Sequence, residues 1–243
     1  EFAHENAIKP ESIKKAYKRF QATDKDKSGM IDYTEFCEIM QIDPAPQVEK
    51  LFQMFDKERS GQIDVREFSS YRIWKHAAER DYVLWLYVQA ADAHLIAHMV
   101  DAFPQVRVVL NHLGMCPGQG KFSVDEWGRP KIETPAYSPA FHTTWRLTRY
   151  ENVAVLLSGQ YAFSKEAFPY RDLVGWHERL LRDFGSRRLM WATDAPWIYE
   201  EPGYGEYTRV IDELLPSISE QERGDIMGGT ASRFLRFPKR EDR

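Results

Sequence analysis

The sequence predicts a two-part chain: an all-α pair of helix–loop–helix units over residues 1–75, then an α/β unit of four parallel strands over residues 76–243. Three observations predict it. Two acidic twelve-residue loops lie 32 residues apart near the start, one beginning at Asp24 and one at Asp56. After residue 80, apolar runs of strand length alternate with stretches of helical periodicity. Between the two parts, residues 69–81 lack the Gly and Pro of a flexible linker, and Trp74 with Ala77-Ala78 continues a helical pattern. That join therefore reads as a helical connection docked against the second part.

The loops carry metal chemistry. In the first, positions 1, 3, 5, 7, 9 and 12 are Asp24, Asp26, Ser28, Met30, Asp32 and Glu35. In the second they are Asp56, Glu58, Ser60, Gln62, Asp64 and Glu67. This is the spacing of an EF-hand loop, which surrounds Ca2+ with six to eight oxygens, position 7 giving a backbone carbonyl and position 12 two carboxylate oxygens. Gly29 and Gly61 stand at position 6, where the chain turns sharply. Ser28 and Ser60 replace the acid or amide at position 5 and still offer an oxygen. Glu58 is one methylene longer than the usual aspartate and either crowds the cage or binds through water, so the first loop is expected to bind more tightly. Loops of this sensor type fall at roughly 10⁻⁷–10⁻⁵ M. Ile31 and Ile63, both at position 8, are placed to pair in a short two-stranded bridge. Residues 10–72 resemble the EF-hand superfamily.

Composition narrows the remaining classes. A net charge of -4 gives no basic footprint for nucleic acid. No apolar run approaches the ~18–20 residues of a membrane span. Cys37 and Cys116 are too few for a disulfide framework and read as reduced thiols of a cytoplasmic protein. The chain opens with Glu1-Phe2 and reads as a fragment or a processed product.

In the second part the expected strands are 83–88, 106–112, 153–158 and 189–194, with helices at 90–103, near 138–150, and at 172–184, 205–215 and 219–234. Near-continuous apolar strands between helices indicate a parallel sheet covered on its faces. Ligand chemistry in such folds gathers at the carboxyl ends of the strands. His112 closes the second strand and Asp194 the fourth. A neutral imidazole is a good metal ligand, and a carboxylate ligates metal or takes a proton from water.

The runs from Phe103-Pro104 to Asn111-His112-Leu113-Gly114, from Asn152-Val153 to Ser158-Gly159, and from Phe184-Gly185 to Arg188-Leu189-Met190-Trp191-Ala192-Thr193-Asp194-Ala195-Pro196 resemble the amidohydrolase-related family of lactonases and metal-dependent decarboxylases. The resemblance covers residues 80–238. It implies a (β/α)8 barrel whose eighth strand ends in a water-activating aspartate, here Asp194, with His112 after the sixth strand. The expected fold class is therefore multi-domain: an all-α EF-hand pair, then half of a (β/α)8 barrel with four parallel strands.

The departures from that pattern are large. The family opens with a His-x-His pair on its first strand, and none occurs in this chain. Residues 80–238 number 159, against ~250 for a whole barrel. Thr230 stands where the family has asparagine, and Asn111 where it often has aspartate. Half a barrel leaves an open strand edge and a bare inner face. Cover by the EF-hand helices, pairing of two copies as a homodimer, and a truncated or fused product are the three resolutions; the first two are expected.

Other polar residues have plainer readings. His94 and His98 share a helix face, but Leu95 stands where a general base would be, so both read as surface histidines. His142 and His177 read as structural, and Trp145 and Trp176 as core. Cys116 follows His112 closely enough to line its pocket. The loop 118–139 reads as charged and solvated, with Arg129 and Lys131 as the places where a substrate anion would bind.

Two functions are consistent with these residues. In one, the chain binds calcium and hydrolyses a small lactone or carboxylate, with Asp194 as general base and His112 as a ligand for Zn2+ or Mn2+ or as a carbonyl polariser. In the other, the partial barrel is structural and only calcium binding remains. The missing His-x-His pair argues against a full metal centre, although some relatives of this kind work without bound metal.

Overall fold

The computed structural model describes residues 30–40, 43–56, 61–63, 65–88, 93–115, 121–133 and 144–237. The chain divides into two compact units: Glu1–Glu79 with Asp101–Phe103, and Arg80–Val100 with Pro104–Arg243.

In the first unit, strand β1 (Ile31–Asp32) pairs antiparallel with β2 (Gln62–Ile63), and Ile31 lies opposite Ile63 as the loop positions predict. Both isoleucines are fully buried. Helix α1 (Tyr33–Met40) starts on a reciprocal cap. The Asp32 carboxylate accepts from the Glu35 amide at 2.8 Å, and the Glu35 carboxylate accepts from the Asp32 amide at 3.2 Å. Helix α2 (Pro46–Phe55) begins on a proline, which costs nothing at a first helical position. The rings of Tyr33 and Phe36 meet Phe52 edge-on at 5.4 and 5.5 Å, fixing α1 on α2. Gly61 has φ +80°, a left-handed turn that glycine adopts freely, and its amide donates to Asp56 Oδ2 at 2.5 Å.

Of the first loop's candidate ligands, Met30, Asp32 and Glu35 are described; Asp24, Asp26 and Ser28 lie outside the described residues. Of the second loop's, Asp56 and Gln62 are described; Glu58, Ser60, Asp64 and the side chain of Glu67 lie outside. Helix α3 (Val65–Arg80) runs through the expected join without a break. Tyr71 and Trp74 on α3 pack against Phe103 of the same unit, with ring centroids 4.9 and 6.5 Å apart.

The second unit is built on a parallel sheet. Among the described residues it has four strands, β3 (Val83–Leu86), β4 (Arg107–Leu110), β7 (Val153–Leu157) and β8 (Leu189–Trp191), lying side by side in sequence order. Helix α4 (Ala93–Ala102) connects β3 to β4. A hairpin of β5 (Lys121–Val124) and β6 (Pro130–Glu133) lies between β4 and β7 in the chain. The short helix α5 (Gln160–Phe163) and helix α6 (Val174–Phe184) connect β7 to β8. The chain closes with α7 (Tyr204–Tyr207), α8 (Val210–Leu214), α9 (Glu220–Gly224) and α10 (Thr230–Phe234). The two long closing helices expected from the sequence are thus each broken. Gly228-Gly229 sits in a π-helical stretch between α9 and α10, with a non-helical Gly228.

Register settles which side chains share a face. Leu86 pairs with Leu110, Leu110 with Val155, and Leu157 with Trp191. Successive side chains alternate across a strand. Val83, Val109, Ala154, Leu156 and Met190 therefore lie together on the opposite face, which at its carboxyl end carries Ser158. This face is not bare. Val109, Ala154 and Met190 form a buried cluster with Val83, Leu156 and, from the C-terminal helix, Ala231, Phe234 and Leu235. Arg107 Nη1 donates to the Phe234 carbonyl at 2.6 Å and ties that helix to the start of β4. Cover on this face thus comes from the unit's own last helix, a solution not foreseen in the sequence. Met190 is the largest side chain in the cluster's core, so Met190→Ala is expected to cost about 2–5 kcal/mol in urea unfolding, as for other buried large-to-small changes.

Candidate active site

Parallel strands end at the same edge of a sheet. Here that edge gathers Tyr87 after β3, His112 after β4, Ser158 after β7 and Asp194 after β8. The two predicted residues come together: His112 Nδ1 lies 3.7 Å from Asp194 Oδ2. His112 Nδ1 also shares a hydrogen bond with Ser158 Oγ at 3.1 Å. The Tyr87 ring stands edge-on to the imidazole at 4.7 Å. Tyr161, on α5, donates its hydroxyl to Asp194 Oδ2 at 2.6 Å.

Both predicted residues sit in left-handed backbone, His112 at φ 50° and Asp194 at φ 56°, which costs a non-glycine residue energy that the surroundings must supply. Around His112 the supply is visible. Leu113 is also left-handed, at φ 60°. The His112, Leu113 and Gly114 carbonyls accept from the Met115 amide at 3.0 Å, Trp176 Nε1 at 3.0 Å and Thr144 Oγ1 at 2.8 Å. Trp176 stacks near Trp145 at 5.2 Å, and Arg179 lies 4.0 Å over the Trp145 ring. Both tryptophans are half-buried and act as a brace for the His112 turn. Gly159, at φ 74°, lets the imidazole approach: a Cβ there would lie 2.9 Å from His112 Nδ1.

Burial lowers the His112 pKa from its ordinary value, and the Asp194 charge partly opposes that shift. The imidazole is thus neutral near pH 7 and has a lone pair to share. Burial pushes the Tyr161 hydroxyl far above the usual tyrosine range, and its bond to Asp194 adds to the rise. It stays protonated and stays a donor.

A second polar chain lies beneath. Tyr207 donates to Gln160 Oε1. Gln160 Nε2 meets His177 Nε2 at 3.2 Å, and His177 Nδ1 meets the Leu173 carbonyl at 2.9 Å. Since Nδ1 must donate to that carbonyl, the neutral ring accepts at Nε2 from Gln160. His177 is structural, as the sequence indicates.

The charged loop 118–139 is where the reading needs correction. Its described part is the β5–β6 hairpin, and Arg129 within it is buried rather than solvated. Arg129 pairs with Asp125 at 2.8 Å and with Glu201 at 2.6 Å, and donates to the Glu201 carbonyl at 2.6 Å. Lys131 Nζ donates to the carbonyls of Tyr161 at 2.5 Å and Ser164 at 2.7 Å. Both cations hold protein groups, and neither is offered to a substrate anion. Cys116 and His142 lie outside the described residues; His98 is exposed.

A catalytic zinc site uses three protein ligands and an open position. Among the described residues no group of three His, Cys, Asp or Glu side chains is placed to hold a metal. His112 and Asp194 supply two, and Asp194 Oδ2 is already engaged by Tyr161. Among the described residues the site thus offers two of the three protein ligands that such a centre uses.

The sequence matches a known family. The amidohydrolase family model matches residues 42–237, and an EF-hand model matches residues 17–40. The chain belongs to the amidohydrolase family. It carries an EF-hand before the amidohydrolase region. The second acidic loop falls inside the span of the amidohydrolase match.

Solved structures agree on the fold. An amidohydrolase from Burkholderia multivorans, with bound zinc, is 21% identical with a TM-score of 0.57 over 84% of this chain and 77% of that one. A putative 2-pyrone-4,6-dicarboxylic acid hydrolase from Pseudomonas putida is 20% identical, TM-score 0.51, over 67% and 54%. A probable enzyme of the same name from Acinetobacter baumannii, with citric acid bound, is 12% identical, TM-score 0.52, over 68% and 57%. This chain thus spans little more than half the length of the two pyrone-dicarboxylic acid hydrolases. Among curated proteins, none matches. No helix among the described residues is long and apolar enough to cross a membrane.

Tyr161, Ser158 and the Arg129–Glu201 clamp were not singled out in the sequence. The signal for the first two was present: Ser158-Gly159-Gln160-Tyr161 comes directly after the third strand, at the same edge as His112 and Asp194.

The site yields two expected outcomes. Gly159→Ala pushes a methyl into His112 and strains a left-handed turn, so it is expected to cost about 1–3 kcal/mol in chemical denaturation and to displace the His112 ring resonances in NMR spectra. Buried His177 has its pKa pushed down from 6.5 to about 4. The unfolded state therefore binds more protons between these values, and stability falls as pH drops through that window. The loss from this residue reaches about 3 kcal/mol at pH 4, at ~1.4 kcal/mol per unit; urea unfolding of His177→Gln is expected to show a flatter pH dependence across that range.

Proposed function

We propose that this chain is a hydrolase of a small lactone or related carboxylate substrate, with an EF-hand calcium site at its start. The observation that carries the hydrolytic reading is the His112–Asp194 pair at 3.7 Å, held at the carboxyl edge of the sheet. Asp194 is the general base. It takes a proton from water as the water oxygen attacks the substrate carbonyl carbon. His112 faces the same space and polarises the carbonyl or steadies the oxyanion. The carbonyl π bond becomes an alkoxide, which re-forms the carbonyl as the ring C–O bond breaks. The proton then passes to the leaving oxygen. Positioned acid–base groups of this kind contribute typically 10²–10⁴-fold.

Calcium binding rests on the EF-hand match and on the loop geometry around it. Ile31–Ile63 pairing, the left-handed Gly61 and the capped Asp32 are the framework that such loops need. The first loop is the tighter site, because Glu58 lengthens a ligand in the second.

Hydrolysis of a lactone panel is expected to be found and to fall about 10²–10⁴-fold in Asp194→Asn. A chain inactive on every lactone, with and without added zinc or manganese, would leave calcium binding alone. Titration calorimetry is expected to show calcium heat that disappears when Asp24→Ala and Glu35→Gln are combined.

A further inference from the structure

We propose that Tyr161 is a positioning residue that fixes which oxygen of Asp194 acts as the base, and that the β5–β6 hairpin holds Tyr161 in place. The inference rests on the reading of Asp194 as a base. A carboxylate presents two equivalent oxygens and rotates between them unless one is tied. Here Oδ2 is tied: it accepts from the Tyr161 hydroxyl at 2.6 Å, on the side of the carboxylate that faces His112 Nδ1, 3.7 Å away. That leaves Oδ1 as the oxygen that meets water. A bond from a hydroxyl to a carboxylate is among the stronger hydrogen bonds, and Tyr161 is 1% exposed, so water does not compete for it.

Tyr161 has no freedom of its own. Its carbonyl accepts from Lys131 Nζ at 2.5 Å. The Arg129 guanidinium lies 5.5 Å over its ring. The same Arg129 is forked between Asp125 and Glu201. Glu201 belongs to the segment that leaves β8 through Asp194. The hairpin thus grips the donor and the chain that carries the acceptor at once. This gives a purpose to the buried Arg129 and the half-buried Lys131, both engaged by protein groups.

The test uses the full chain with Tyr161→Phe, Arg129→Met, Arg129→Lys and Asp194→Asn, each checked by a urea melt. The Tyr161 hydroxyl proton is expected as a slowly exchanging downfield proton resonance. It should vanish in Tyr161→Phe, move upfield in Asp194→Asn, whose amide oxygen still accepts but carries no charge, shift or broaden in Arg129→Met, and partly recover in Arg129→Lys. On the best lactone, Tyr161→Phe is expected to lower kcat about 10- to 100-fold, the range of a lost charge-assisted hydrogen bond, with KM little changed. Arg129→Met should lower kcat in the same direction by less. The inference is overturned if Tyr161→Phe leaves kcat unchanged. It is also overturned, for the hairpin, if Arg129→Met lowers stability while the resonance and kcat stay as in the parent. If the parent chain turns over no lactone, the hydrolytic reading fails on its own, and the resonance still decides whether the hairpin holds the Tyr161–Asp194 pair.

Discussion

The parallel ladder from β3 through β4 and β7 to β8 is the constraint on which the rest of the second unit depends. Parallel neighbours need a crossover between them, so every strand must start again from the same side. Tyr87, His112, Ser158 and Asp194 are separated by up to 107 positions in the chain, yet they meet because each comes after a strand that ends at the same edge. Register does the finer work. It puts Ser158 on the face shared by Val109, Ala154 and Met190, and it leaves the other face to Leu110, Val155, Leu157 and Leu189, all almost fully buried. The left-handed turns at His112 and Asp194 then swing the two side chains toward each other.

The sequence carried the sheet well because its signal is local. Apolar runs of strand length, each followed by a helical stretch, need no tertiary information to read. The observed strands fall within the expected ones and are shorter, because the last residues of each expected run belong to the turns that build the site. His112 and Asp194 were legible for the same reason: they are polar residues that close apolar runs. Tyr161 was not, since an aromatic in Gln160-Tyr161-Ala162-Phe163 has the look of core until its hydroxyl is seen against Asp194. A cation in a charged loop is usually solvated, and only the fold reveals Glu201, 72 positions later, as the partner of Arg129. The cover over Val109, Ala154 and Met190 was hidden too. Ala231, Phe234 and Leu235 announce an amphipathic helix, but not which surface it seeks.

The first unit shows a different balance. The antiparallel contact of Ile31 with Ile63 comes from two loops of equal length, each with a branched apolar residue at position 8. The family models divide the same region otherwise: the EF-hand match ends at residue 40 and the amidohydrolase match begins at residue 42. The bridge nonetheless joins the two acidic loops, so the second loop is tied to the first in structure whichever family its residues match.

The backbone at His112 and Asp194 also governs what can replace them. Left-handed conformation is tolerated by Asn, Asp and Gly far better than by other residues, and worst by the β-branched ones. Evolutionary drift at position 194 is thereby steered toward a narrow alphabet: an asparagine there would keep the turn and lose the charge, whereas a valine would lose both. Family members that have abandoned hydrolysis would be expected to retain an Asx or glycine at this point, leaving a trace of the former site in the shape of the chain after its chemistry has gone.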